Sequence, residues 1–433
     1  MKKEQKTVVI QTLGCKLNFA ESAAMLQLLE QKGYRQVKMG EEADLCIINT
    51  CSVTETADQK DRQTIHKLVR MYPQAFVAVC GCYAQLKPQE IANIPGVDLV
   101  LGADFKMELA DLIEDKKREN CLVKASANDE IKRFLPACSK GNRTRFFLKV
   151  QDGCDYFCAY CTVPYARGRS RNPDIASLVA QAKEVAENGG KEIVLTGINI
   201  GTFGKSTGEN FLQLIQALDQ VEGIERYRIS SMEPDLLSDE MIAFVAQSKR
   251  FAPHFHLPLQ AGNNEMLDLM GRHYHRELFA EKIYAIKKAM PDAFIGVDVI
   301  VGMRGEKAEL FEDGRQFLES LPISQLHVFS YSERPGTRAL EIDYKVAEKD
   351  KKQRSRILHE LSEQKRLEFY RSQSGKKRSI LFEHGKKNGK MYGFSDNYIR
   401  VEAPYRKDWE NSTQTLCLGD FNEDKSALIA QLS

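Results

Sequence analysis

Residues 145–171 read RFFLKVQDGCDYFCAYCTVPYARGRSR. The apolar run RFFLKV reads as a strand, and a loop carrying Cys154, Cys158 and Cys161 follows it at once. Three residues separate the first pair of cysteines and two the second. Three thiolates on one tight loop supply three corners of a cubane [4Fe–4S] cluster and leave the fourth iron without a protein ligand. An open iron is a place for a small molecule to bind and react, as is the vacant position of a catalytic zinc. A zinc knuckle is the competing reading, with His66, His254 or His256 as a distant fourth ligand. A ferredoxin would use four cysteines and a much smaller fold.

Downstream, EIVLTGIN (192–199), RYRISSMEP (226–234), HFHLPLQAG (254–262), FIGVDVIVGM (294–303) and QLHVFSYSERPG (325–336) read as further strands, with helical stretches between them. Six βα units predict a parallel (β/α) barrel, partial or full, whose chemistry sits on loops that follow the strands. Upstream, TVVIQTLG (7–14), DLCIINTC (44–51), AFVAVCGC (75–82) and DLVLGAD (98–104) alternate with helices and predict an open parallel α/β sheet. Its ligand site is expected beyond the carboxyl ends of the strands. Cys15, Cys51 and Cys82 stand there. Cys80 is one residue from Cys82, and strand alternation would turn both to one side, so either can serve as the third member. Cys46 falls inside an apolar strand and reads as core.

The fold class is therefore α/β, in an expected N-terminal domain over 1–120, a linker over 121–142 and a barrel over 143–372. The last stretch, 373–433, changes to short β-like runs with Gly, Asn and Asp turns and predicts a small antiparallel β-barrel. A chain of 433 residues supports this many cores. Eleven cysteines suit metal sites or catalysis better than disulfides, and their spacing argues for two centres. With a net charge of +2, any nucleic-acid binding must come from a local basic patch. No apolar run is long enough for a signal peptide or a membrane span, so a cytoplasmic protein without a membrane partner is expected.

CDYFCAYC, after a strand that opens a βα barrel, resembles the radical S-adenosylmethionine (SAM) superfamily. The resemblance implies that the free iron binds SAM and that one electron cleaves it to a 5′-deoxyadenosyl radical. Tyr160 would then pack on the adenine. GGKEIVLTGIN (189–199) looks like the glycine-containing segment that meets the SAM amino group, which assigns Gly189, Gly190 and Glu192 to SAM; a plain turn before a strand is the alternative. Glu233, in SSMEP, would accept hydrogen bonds from the ribose. The polar groups of HLPLQAGNNEMLDLMGRHY (256–274) and FSYSERPGTRA (329–339) serve either catalysis or strand capping.

TLGCKLN (12–18), NTCSVTETA (49–57) and CGCYAQLKP (80–88) resemble the three cysteine segments of the methylthiotransferases within that superfamily, and the 373–433 stretch resembles their TRAM domain. What this implies is a second [4Fe–4S] cluster on Cys15, Cys51 and Cys82, two SAM molecules per turnover, and tRNA as partner. An electron donor such as flavodoxin or ferredoxin and a sulfur donor are implied as well. TLGCKLN and YCTVPYARGRSRN (160–172) are similar to the branch that modifies carbon 2 of N6-threonylcarbamoyladenosine (t6A). Other branches act on isopentenyladenosine in tRNA or on a ribosomal protein. A non-catalytic iron–sulfur RNA-binding protein is the alternative of a different class. Lys376, Lys377, Arg378, Lys386 and Lys387, among Tyr392, Phe394 and Tyr398, would meet RNA, unless they are only a solvated surface. Arg167, Arg169 and Arg171 would steer RNA or anchor the cluster loop. No acid–base constellation of Ser, His or carboxylate stands out, and cluster chemistry needs none.

Overall fold

β-Branched runs flanked by turn residues form one parallel sheet in the first hundred residues. In chain order the elements are β1 (Thr7–Thr12), α1 (Lys16–Gln31), β2 (Arg35–Gln36), β3 (Leu45–Thr50), α2 (Glu55–Met71), β4 (Phe76–Gly81), α3 (Cys82–Leu86), α4 (Pro88–Ala92), β5 (Leu99–Leu101), α5 (Leu109–Leu112) and β6 (Leu122–Lys124). The computed structural model describes residues 5–114, 116–139 and 144–432; the end of the expected linker, 140–142, lies outside the described residues. The strand order is β2-β1-β3-β4-β5-β6, every pair parallel. Period-two alternation builds both faces: Val9, Cys46, Ile48, Val77 and Val79 pack on one, Val8, Leu45, Ile47, Ala78 and Cys80 on the other. β6 lies in the stretch expected to be linker, because Leu122–Lys124 pairs with β5 as the edge strand.

Then follow β7 (Arg145–Lys149), α6 (Val163–Arg167), α7 (Ile175–Glu187), β8 (Glu192–Thr196), α8 (Phe211–Asp219), β9 (Arg226–Ile229), α9 (Asp239–Gln247), β10 (His254–Gln260), α10 (Asn264–Met270), α11 (Arg276–Ala289), β11 (Phe294–Val301), α12 (Ala308–Ser320) and β12 (Gln325–Ser330). β7-β8-β9 and β10-β11-β12 are parallel sheets, joined by single parallel bridges Tyr227↔Phe251 and Ser231↔His256. The result is a six-stranded partial barrel with its apolar core between strands and helices.

The charged helix α13 (Glu348–Gln373) leads into β13 (Lys377–Phe382), β14 (Lys390–Ser395), β15 (Arg400–Pro404), β16 (Thr413–Phe421) and β17 (Leu428–Gln431), which close in the order β13-β14-β15-β17-β16. The sequence reading expected an antiparallel barrel, but β15 and β17 pair in parallel. A ring with an odd number of strands cannot alternate direction throughout, so one parallel pair is required.

This small barrel seals the amino-terminal ends of the six parallel strands. Glu192, at the start of β8, is fully buried and accepts from Arg226 (3.3 Å) and Arg228 (2.8 Å). Those arginines donate in turn to the carbonyls of Ser379, Phe394, Ser395 and Asp396. The guanidinium of Arg228 stacks 4.8 Å above the Tyr398 ring, which also packs on His254 and Phe294. Losing one partner from a buried ion cluster leaves the others uncompensated. Glu192→Ala is therefore expected to lower the unfolding free energy by about 3–5 kcal/mol in urea titrations; a loss below about 1 kcal/mol would contradict the role given to this carboxylate.

Candidate functional site

The loop after β7 places Cys154, Cys158 and Cys161 at the carboxyl end of the strand. Phe157 holds φ +48°, a left-handed turn that folds the loop back. Arg169 stacks 4.5 Å over the Phe157 ring, and Arg338 donates to the Phe157 carbonyl at 2.7 Å. Backbone N–H groups point at sulfur: Tyr156 donates to Cys154 Sγ at 3.5 Å and Val163 to Cys161 Sγ at 3.4 Å. Arg272 donates to Cys158 Sγ at 3.1 Å and also pairs with Glu233. Burial pushes the Cys154 thiol up to about 11 and that of Cys161 to about 12. Donors aimed at sulfurs that resist ionisation suit thiolates compensated by metal, so the donor set fits a cluster. The histidines weighed for zinc serve elsewhere. His66 is exposed on α2, His254 packs on Phe294 and Tyr398, and His256 pairs with Asp298 at 2.6 Å.

Cys15, Cys51 and Cys82 follow three adjacent strands, β1, β3 and β4. Cys15 is the N-cap of α1. Gly14 takes φ +93°, and a Cβ there would stand 2.7 Å from Cys51 Cβ, so only glycine lets this turn pass so close. Burial pushes the Cys51 thiol up to about 12, with Cys82 and Cys15 as further contributors. Cys82 opens α3; burial raises its thiol too, Cys15 adds to the rise, and Arg167 and Lys106 oppose it. Gly81, at φ +109°, ends the strand alternation between the two candidate thiols. Cys80 consequently stays in the sheet core, with its sulfur 3.9 Å from Met25 Sδ.

The two cysteine sets sit on facing loops. Thr162, next to Cys161, donates to the Ser52 carbonyl, next to Cys51, at 3.2 Å. Around this contact lies a buried ion network. Glu21 of α1 pairs with Lys106, with Lys149 (3.0 Å) and with Arg167 (3.0 Å); Asp152 pairs with Lys149, Arg167 and Arg171. These cations hold the Glu21 carboxyl well below the usual carboxylate range despite its burial. Arg334 adds a second tie, to Ser52 (2.8 Å) and Asp58 (2.7 Å). A cavity of ≈ 570 Å³ opens between the sheet and the partial barrel, lined among others by Cys15, Lys16, Thr196, Gly197, Ser230 and His256.

Several expected contacts fall elsewhere. Arg167 is buried in the ion network and cannot meet RNA; it anchors the loop, as does Arg171, which donates to the Arg167 and Arg169 carbonyls. Gly189, Gly190 and Glu192 lie at the amino end of β8, where the Asn411 side chain donates to the Gly189 carbonyl, so they face the small barrel and not a SAM site. The opposite end of β8 presents Thr196, Gly197 and then Asn199, whose buried side-chain amide lies beside the Cys154 sulfur. Tyr160 and Glu233 do lie together near Arg272 and Cys158. Burial pushes the Glu233 carboxyl up to about 7, the neighbouring Arg272 opposing that rise.

Among the basic candidates, Arg169, Lys377, Lys386 and Lys387 are exposed. Lys376 and Arg378 both pair with Asp292 at 2.6 Å, and Arg378 is nearly covered, so it braces the small barrel. Phe394 and Tyr398, read as RNA-facing, stack on each other and on the barrel's underside. Arg272, Asn199, Arg334, Glu21 and Lys16 were missed. Arg272 and Arg334 stood inside the polar segments left unassigned, and Asn199 stood at the carboxyl end of a strand already identified.

Comparison with known proteins identifies the family. The model of the uncharacterised protein family UPF0004 matches residues 7–102, and that of the radical SAM superfamily matches 148–318. The threonylcarbamoyladenosine tRNA methylthiotransferase MtaB of Aquifex aeolicus is 40% identical over 93% of this chain and 97% of its own. The Bacillus subtilis protein of the same name is 38% identical over 91% and 90%. A tRNA-2-methylthio-N(6)-dimethylallyladenosine synthase of Syntrophus aciditrophicus is 33% identical over 97% and 89%. Among solved structures, the radical SAM methyltransferase TsrM of Kitasatospora setae superposes with TM-score 0.58 over 78% of this chain and 77% of its own, at 15% identity, a likeness of fold.

Asp61 offers a test of the sheet-side geometry. It is buried, accepts from the Cys51 N–H at 2.8 Å, and burial pushes its carboxyl up to about 7. A carboxyl raised in the folded state keeps its proton where the unfolded chain has lost it, so folding stability drops as pH rises from about 4 to about 7 and is level above. In iron-free protein, wild type is expected to lose stability relative to Asp61→Asn across that window. Parallel stability–pH curves in urea would refute the assignment.

Proposed function

The chain belongs to the radical SAM tRNA methylthiotransferases, and from that starting point we propose that it places a methylthio group on carbon 2 of t6A beside the anticodon. The observation that carries this reading is the Thr162–Ser52 contact, which brings the loops of the two cysteine triads against each other. Relatives named for t6A at 40% and 38% identity, against 33% for one named for dimethylallyladenosine, support the choice of base.

In this reading Cys154, Cys158 and Cys161 hold one [4Fe–4S] cluster, and Cys15, Cys51 and Cys82 hold a second. When bound, the clusters and two SAM molecules supply reductive radical formation and a methylated sulfur, with electrons from a flavodoxin- or ferredoxin-like donor and sulfur from a separate donor. The protein's own part is placement and exclusion. Tyr160 and Glu233 offer a ring face and a carboxylate beside the central loop, and Arg272 fixes Glu233 and Cys158 together. The Glu21 network keeps water out of the junction between the two loops. Exposed Arg169, Lys377, Lys386 and Lys387 supply charge for tRNA phosphates.

Anaerobic reconstitution is expected to give about eight irons per chain. Replacing Cys154, Cys158 and Cys161 with Ala should leave about four and abolish 5′-deoxyadenosine formation in dithionite. Replacing Cys15, Cys51 and Cys82 should also leave about four, keep 5′-deoxyadenosine formation and stop methylthiolation. A wild-type load near four irons would remove the two-cluster reading. In cells lacking the protein, mass spectrometry of tRNA nucleosides should show methylthio-t6A replaced by t6A; unchanged levels would exclude this substrate.

A further inference from the structure

We propose that Lys16 binds the carboxylate of the threonylcarbamoyl group and thereby selects the substrate base. This rests on the t6A reading above. Lys16 directly follows Cys15 and opens α1, and it lines, with Cys15, the cavity between the sheet domain and the partial barrel. Cations around it are already paired: Arg145 with Glu383 at 2.6 Å and Arg228 with Glu192 at 2.8 Å. Lys16 forms no ion pair or hydrogen bond among the described residues, although Asp298 and the already paired Glu192 lie within its electrostatic reach. An ammonium without a partner, facing an empty space the size of a nucleoside side group, is half of a recognition pair.

The surroundings fit the remaining polar groups of that substituent. His256 and Asp298 are joined at 2.6 Å, and the His327 ring stands 4.9 Å from that of His256. Together they offer donors and acceptors for a hydroxyl and a urea. A divalent cation would find three donor atoms here within 4.8 Å, but the positive charge of Lys16 repels a cation there and attracts an anion. Geometry within the base agrees. Carbon 2 and carbon 6, which bears the N6 nitrogen, flank the same ring nitrogen, so a substituent turned toward N1 stays beside the reacting carbon. Cys15 and Lys16 are likewise adjacent in the chain. An isopentenyl group carries no polar atom and would cover the ammonium while leaving it unpaired, which is how a polar site rejects an apolar analogue.

The test uses full-length reconstituted protein and fluorescently labelled anticodon stem-loops carrying t6A, its methyl ester or isopentenyladenosine. Wild type is expected to bind the free acid roughly 10- to 100-fold more tightly than the ester, the value of one enclosed charge-assisted contact. Lys16→Met should bind acid and ester alike with unchanged iron content, and Lys16→Arg should restore part of the preference. Wild type that binds acid and ester equally, or Lys16→Met that keeps the full preference, would overturn the role of Lys16 while leaving the t6A reading intact. Wild type that prefers the isopentenyl stem-loop would overturn both. Because the ester comparison uses the unaltered protein, it decides the matter even if a variant folds poorly.

Discussion

Burial of the Glu21 carboxylate is the constraint on which the rest of the arrangement hangs. An isolated carboxylate in that position would be prohibitively costly, and it persists because Lys106, Lys149 and Arg167 surround it. Lys106 comes from the sheet domain, whereas Lys149 and Arg167 flank the central cysteine loop on its two sides. The electrostatic need of one side chain thus fixes how the two cysteine-bearing loops face each other. Asn18, one turn earlier on the same helix, accepts from Arg167 at 2.7 Å and donates to the Thr50 carbonyl at 2.9 Å, which ties this charge centre to the strand end that carries Cys51.

The opposite end of the molecule is organised by the same physics with different partners. Glu192 gathers Arg226 and Arg228, and these reach the carbonyls of the small barrel. The six strands therefore have a sealed base and a reactive rim. Near the base Glu192, Arg226 and Arg228 are held together, while Lys16, which lines the cavity, forms no ion pair among the described residues and is open to a ligand.

Much of this was legible in the chain. Period-two apolar runs located the strands, and the rule that chemistry sits at carboxyl ends placed all six cysteines. The same rule would have rejected Gly189, Gly190 and Glu192, which precede their strand; a motif likeness outweighed it. Arg167 and Arg378 looked like RNA contacts because charge in a sequence carries no sign of burial, and only their carboxylate partners, remote in the chain, reveal it. Tyr398 was misread for the same reason: an aromatic residue among lysines looks exposed until the underside of the barrel covers it. Cys80 escaped a pattern argument because one left-handed glycine, Gly81, breaks the pattern.

The split ownership of Glu21's partners also bears on the order in which the protein is made. As the chain leaves the ribosome, α1 and Lys106 emerge well before Lys149 and Arg167. The sheet domain then holds a carboxylate with one of its three cations, and its surface at α1 cannot be finished. Closure of that surface waits for the strand and loop that carry the central cysteines. Completion of the charge centre around Glu21 therefore depends on residues 149–167, more than a hundred positions further along the chain.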